Sequence, residues 1–212
     1  MINPAKTGIP AMRTLRTFNT PLLLLALALT LTLPGCLGLG GKLPPTLFAM
    51  SAANAVPAGT VTSGDPRTAI MVMEPETDQR LATVRVPVQI DDTNVAYVKN
   101  AAWVERPARL FRALLAETLR GKTNSLVLED SQAAANVGVR IAGRLIDLGY
   151  DARSSSVVVR YEAIRSGPSG TVTTKRFENI VPGIVAKPEF VGPALNQAAN
   201  NVAGQVASWV TG

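Results

Sequence analysis

The 212-residue chain has no histidine and one cysteine, Cys36. The first absence removes the usual general base and the commonest metal ligand. The second leaves no thiol pair for a disulfide, and no spare thiolate for a nucleophile or a zinc cluster once Cys36 is explained. Adjacent carboxylates occur twice, Asp91/Asp92 and Glu129/Asp130, each between an apolar run and a polar stretch. Turn chemistry accounts for them there. No phosphate-cradling glycine motif follows a strand-like segment; Gly38 to Gly41 read as linker. No basic cluster with interleaved aromatics suggests nucleic acid. These absences point away from an enzyme and from any metal or cofactor.

Long apolar runs are also missing. Leu22 to Leu33 is the most apolar stretch, twelve residues broken only by Thr30 and Thr32. A membrane-spanning helix needs about 20. Ahead of the run the only charges are Lys6, Arg13 and Arg16, all positive, with Thr17 to Pro21 between. That order is the n-region and h-region of a secretory signal. Met12 opens a more compact version of it, so translation from either Met1 or Met12 fits.

The signal ends in Leu33-Pro34-Gly35-Cys36. This resembles a bacterial lipobox, with an aliphatic residue at −3, a small one at −1 and the thiol that receives diacylglycerol. Pro34 departs from the small residue preferred at −2. Acylation explains why an exported chain carries one solitary cysteine, which an oxidising compartment would otherwise penalise. Each buried methylene contributes about 0.8 kcal/mol, so a multiply acylated Cys36 stays on its membrane. By resemblance to lipoprotein sorting, Leu37 in place of Asp after the acylated residue implies the outer membrane, with the domain at its periplasmic face. The expected organisation is a signal peptide at 1–35, a lipidated terminus and Gly/Pro-rich tether at 36–66, and one domain at 67–212. Removing the three signal cations from 21 basic residues leaves 18 against 15 acids, a net charge of about +3.

Within the domain, Thr46 to Phe48 and Arg67 to Glu74 suit short strands. Val84, Val86, Val88 and Ile90 alternate as one face of a strand, which Pro87 places at an edge or a bulge. Asp91 to Asn94 is a turn, and Val95 to Lys99 returns. Pro107 opens a helix with Ala108, Phe111, Leu115 and Leu119 on its apolar side, stopped by Gly121. Ser125 to Glu129 is a short strand. Residues 137–147 fit a strand or a helix equally. Ser155 to Ile164 and Thr171 to Ile180 form a hairpin around Ser166 to Gly170. The last helix, 191–210, carries Val191, Leu195, Ala198, Val202, Val206 and Trp209 on one side. Its other side, Asn196, Gln197, Asn200, Asn201, Gln205 and Ser208, is polar but uncharged. Such a side suits either cover by the same domain or packing on a partner or a neighbouring copy in a homo-oligomer.

The ordered set resembles the ABC-type transport auxiliary lipoprotein family, the PqiC-like family. It comprises Leu81, the alternating strand, the return at Tyr97, then Trp103, Glu105 or Arg106, a helix with Leu114, Leu115 and Leu119, the KRFE of Lys175 to Glu178, and a terminal helix closing on Trp209-Val210. It spans nearly all of residues 68–210 behind the lipobox. Gly138, Gly143 and the Asn-rich helix depart from the pattern. The resemblance implies an α/β (α+β) single domain, with a mixed, largely antiparallel sheet of about five to six strands and two main helices. It resolves 137–147 as a strand. It also implies a non-catalytic outer-membrane lipoprotein of an MCE-type ABC system that moves lipid between the inner and outer membranes, docking an MCE-domain protein. Tyr97, Trp103, Arg106, Asn196 and Asn200 are the candidate partner contacts, with Cys36 the lipid attachment. A periplasmic lipid carrier, and an assembly lipoprotein for lipopolysaccharide or a secretion pore, remain alternatives.

Overall fold

Residues 44–129 and 137–212 are described by the computed structural model. The signal, Cys36, Leu37 and Asp130 lie outside them. The order of elements is β1 (Thr46–Phe48), a 3-10 turn (Pro66–Thr68), β2 (Ile70–Val72), β3 (Glu76–Thr77), β4 (Pro87–Gln89), β5 (Val95–Tyr97), β6 (Ala101–Trp103), α1 (Pro107–Arg120), β7 (Val127–Glu129), β8 (Val139–Asp151), β9 (Ser156–Ser166), β10 (Val172–Val181) and α2 (Pro188–Thr211). The expected α+β class with two main helices and a mixed sheet is what forms. The main sheet has eight strands, in the order β10-β9-β8-β2-β7, with β3, β4 and β5 off that path. It exceeds five to six because three short strands, β2, β3 and β4, succeed one another along one edge of β8, each parallel to it. The long pairings β8–β9 and β9–β10 are antiparallel.

The stretch 137–147 is indeed strand from Val139 onward. Its helix-like spacing has a structural cause, since the β8–β9 register shifts between Leu145 and Asp147. A bulge inserts one residue and flips the side-chain alternation beyond it. Ile141 and Leu145 point into the core before the bulge, and Leu148 and Tyr150 after it. The i, i+4, i+7 pattern is thus a broken period of two. Gly143, on the core side between them, has φ +153°, and a Cβ there would lie 2.0 Å from the Glu162 carbonyl oxygen. The residue that departed from the family pattern is one the sheet has no room to replace.

Both helices pack on one side of this sheet. Val157, Val159, Tyr161 and Ala163 of β9 meet Val191, Leu195, Ala198, Val202 and Val206 of α2, all at or near zero exposure. Small residues in α2 let it approach closely and fill the layer at near-crystalline density. Phe111 of α1 lies 5.0 Å from the Tyr161 ring, which burial makes reluctant to ionise.

The described compact unit begins at Pro44. Its β1 pairs in parallel with β6, and residues 51–56 are tied to the helices as described below. Of the alternating run 83–90 only Pro87–Gln89 is strand, with Val84 and Ile90 more than 40% exposed. β4 lies between β5 and β8 rather than at an edge. Pro87 is tolerated because it is the first residue of the strand, where no ladder donor is needed.

Candidate functional site

The second half of β8, β4, the Arg80–Leu81 segment and the β8–β9 turn enclose a groove of about 300 Å³. Opposite charges line it. The bulge frees the carbonyl of Ile146, which accepts from Arg80 Nη2 at 3.0 Å. The same guanidinium donates to Asp78 at 2.9 Å, Asp147 at 3.3 Å and Gln89 at 3.2 Å. Asp147 also accepts from Arg160, and Arg160 Nε donates to Glu178 at 2.6 Å. These three residues stand opposite one another on β8, β9 and β10, so a ladder of alternating sign crosses the sheet on the side away from the helices. Cross-strand pairs of this kind add modestly to sheet stability. At the rim Arg153 bridges Asp92 at 2.5 Å and Asp151 at 2.8 Å.

The electrostatics are those of closed ion pairs. The Arg153 guanidinium holds the Asp151 carboxyl below the usual carboxylate range, and Asp151, then Asp92, raise Arg153 in return. Burial works against the Arg80 charge, but the hydrogen bond it donates to Asp78 and the charges of Asp78 and Asp147 outweigh it and raise its pKa. Three guanidiniums, Arg80, Arg153 and Arg160, and three carboxylates, Asp92, Asp147 and Asp151, line the groove, and Asp78 and Glu178 pair with Arg80 and Arg160 without lining it. Each of these carboxylates is held by a cation of the same chain. Among the described residues no group of three or more His, Cys, Asp or Glu is placed to hold a metal ion. No described helix is long and apolar enough to cross a membrane.

The residues expected to meet a partner separate. Trp103 is 2% exposed, edge-on to Phe48 at 5.6 Å, with its Nε1 enclosed and unpartnered. It is a packing residue that holds β6 and β1 to the domain and offers no surface. Tyr97 is half-buried beneath the Arg85 guanidinium, 3.9 Å from the ring centre, and stands opposite Pro87 at the flank of the groove. Arg106 is exposed at the start of α1 and does not line the groove. Asn196 and Asn200 turn to their own chain. Asn196 Oδ1 accepts from Ser51 N at 3.0 Å, and Asn200 Oδ1 from Ala53 N at 2.7 Å. Asn200 Nδ2 donates to the Ser51 carbonyl at 2.9 Å. Glu117 of α1 accepts from Val56 N at 2.7 Å. The uncharged side of the last helix thus replaces the backbone partners that an irregular strap would otherwise lack. Cys36 lies outside the described residues.

Arg80, Asp147, Arg160 and Glu178 escape a reading of the sequence. Polar residues at alternate positions of β9 mark one face as open, but only the pairing register brings Asp147 and Glu178 to either side of Arg160.

A family model described as the ABC-type transport auxiliary lipoprotein component matches residues 50–207. The crystal structure of a Xanthomonas campestris protein of the DUF330 family is similar, with a TM-score of 0.63 at 15% identity, covering 78% of this chain and 94% of that one. A second crystal structure, of an uncharacterised protein, aligns with a TM-score of 0.59 at 14% identity over 71% of this chain and 96% of that one. These likenesses show a shared fold. A PelC dodecamer from Paraburkholderia phytofirmans aligns more distantly, with a TM-score of 0.40 at 14% identity, covering 70% and 93%, and carries nothing further. No curated protein matches.

Proposed function

This chain belongs to the ABC-type transport auxiliary lipoprotein component family, and from that premise we propose that it is the outer-membrane lipoprotein of an MCE-type ABC system. It is non-catalytic, is anchored through acylated Cys36 at the periplasmic face, and docks the MCE-domain protein as lipid passes between the two membranes. The observation that carries this reading is the match of the family model over almost the whole described domain. The anchor is supported by the lipobox-like Leu33 to Cys36 behind a twelve-residue apolar run.

The ion-paired groove, with Tyr97 at its flank, is the docking surface this reading favours. Its lining carries charges of both signs and suits a partner segment that does the same, and such complementarity governs specificity and association rate more than affinity. The lipid-carrier alternative needs an acyl-sized cavity between sheet and helices. That layer is occupied by the Ala198, Val202 and Val206 stripe of α2 against β9, and the groove on the other side is lined by charge.

Affinity capture of the native lipoprotein from gently solubilised envelopes tests the proposal. An MCE-domain protein enriched with its ATPase and permease supports it, and an Asp147→Lys variant weakens that capture. Recovery of unrelated envelope proteins alone sinks it, and stoichiometric phospholipid on the purified protein favours the carrier.

A further inference from the structure

The exposed aliphatic side chains of the domain are not scattered at random around β1. Leu47 stands opposite buried Ala102 on β6, and Val104 follows two residues later, so Leu47 and Val104 fall on the same side of the two-stranded sheet. Val104 N donates to the Phe48 carbonyl at 2.9 Å, and Trp103 N to the Val84 carbonyl at 2.7 Å, which brings the segment around Val84 alongside. Phe48 and Trp103 are buried, whereas Leu47, Val84 and Val104 are 50%, 42% and 52% exposed.

Cations border these three. Arg85, Lys99 and Arg106 are all exposed. The one carboxylate beside them in sequence, Glu105, is engaged by Arg109 at 2.5 Å. Arg85 is stacked on Tyr97, and neither Lys99 nor Arg106 has a carboxylate partner among the described residues. Asn100, at φ 58°, turns its carbonyl to accept from Thr46 N, which places Lys99 beside the entry of the chain into the domain.

The covalent connection supplies the second argument. Seven residues lie between Cys36 and Pro44, the first residue of the compact unit. A fully extended chain advances at most about 3.6 Å per residue, so the Cys36 Cα is never farther than roughly 29 Å from that of Pro44. Leu47 is three residues beyond that point.

We propose that the face formed by Leu47, Val84 and Val104 with Arg85, Lys99 and Arg106 rests on the phospholipid leaflet that holds the acyl chains of Cys36. This rests on the reading of Cys36 as acylated. Aliphatic side chains enter the headgroup boundary and the cations meet lipid phosphates, the same combination that seats interfacial segments. Contact there gives the anchored domain one preferred orientation on the membrane.

The full-length lipoprotein, reconstituted into vesicles of phosphatidylethanolamine and phosphatidylglycerol, provides the test. With its native thiol acylated, Val104→Cys accepts one environment-sensitive fluorophore; Leu47→Cys repeats the measurement. Ser169→Cys, on the exposed β9–β10 turn, is the comparison. The label at 104 is expected to shift to the blue and be quenched several-fold more by shallow brominated lipid than the label at 169. Paired Arg85→Glu and Arg106→Glu substitutions reduce that difference while the protein still floats with the vesicles. Equal quenching at 104 and 169 on floated protein overturns the face and leaves the anchor standing. A shift at 104 that depends on protein concentration and not on vesicles overturns it in favour of a contact between copies. Failure of the native protein to float removes the anchor and the proposal with it.

Discussion

Replacing Asn200 with Ala distinguishes a residue that fastens the domain from one that meets a partner. The side chain gives up two bonds to the strap, from Ala53 N at 2.7 Å and to the Ser51 carbonyl at 2.9 Å. A typical intramolecular hydrogen bond contributes about 0.5–1.5 kcal/mol net, so the loss is about 1–3 kcal/mol. Both strap groups are close to solvent, where water replaces part of the interaction. Alanine in mid-helix returns roughly 0.6 kcal/mol of intrinsic propensity. The expected net destabilisation is about 1–2 kcal/mol, or on the order of 2–8 °C in Tm for a domain of this size. Thermal unfolding followed by circular dichroism measures the total. Hydrogen exchange at the Ser51 and Ala53 amides locates it, because opening of the strap is local and precedes global unfolding. Asn201, whose side chain reaches only Asn179 at 3.2 Å on the surface, is the control and should be near neutral as Ala. Unchanged exchange and Tm in Asn200→Ala, together with lost partner capture, would refute the reasoning and return this side of the helix to a binding role.

Gly143→Ala places a methyl 2.0 Å from the Glu162 carbonyl at a φ that L-residues rarely adopt. It is expected to cost about 3 kcal/mol or more, read as a lower urea midpoint. In the β4–β5 turn, Asp91 accepts from Asn94 and Thr93, and these bonds lower its pKa to about 2. Its folded pKa is depressed, so its stabilisation is complete above the unfolded carboxylate range and is lost as pH falls through about 2. The difference in urea midpoint between wild type and Asp91→Asn should therefore close between about pH 5 and pH 2, and a gap that persists at the acid end would contradict it.

Much of the architecture was legible along the chain because it is written in local chemistry. Pro107 and Gly121 bracket a helix whatever surrounds them, and the Gly-Pro-Ser-Gly stretch between two β-branched runs can hardly be anything but a hairpin. Absence spoke as clearly, since a chain without histidine and with one thiol narrows its chemistry before any folding is considered. The lipobox-like segment was likewise a linear feature, as was the order Leu81, Tyr97, Trp103, KRFE, and the family match over residues 50–207 bears out the family resemblance that this order carried.

Three things awaited the tertiary structure. The bulge at Ile146 converted a period of two into the spacing of a helix, and only the β8–β9 register exposes that. Trp103 stood among the candidate partner contacts until burial placed it in the core. The uncharged side of the last helix found its cover in residues 51–53, about 145 positions earlier in the chain. In each case the deciding interaction joins residues far apart in sequence. Periodicity reports which side of an element is apolar, but the identity of whatever lies against either side is a property of the packed chain.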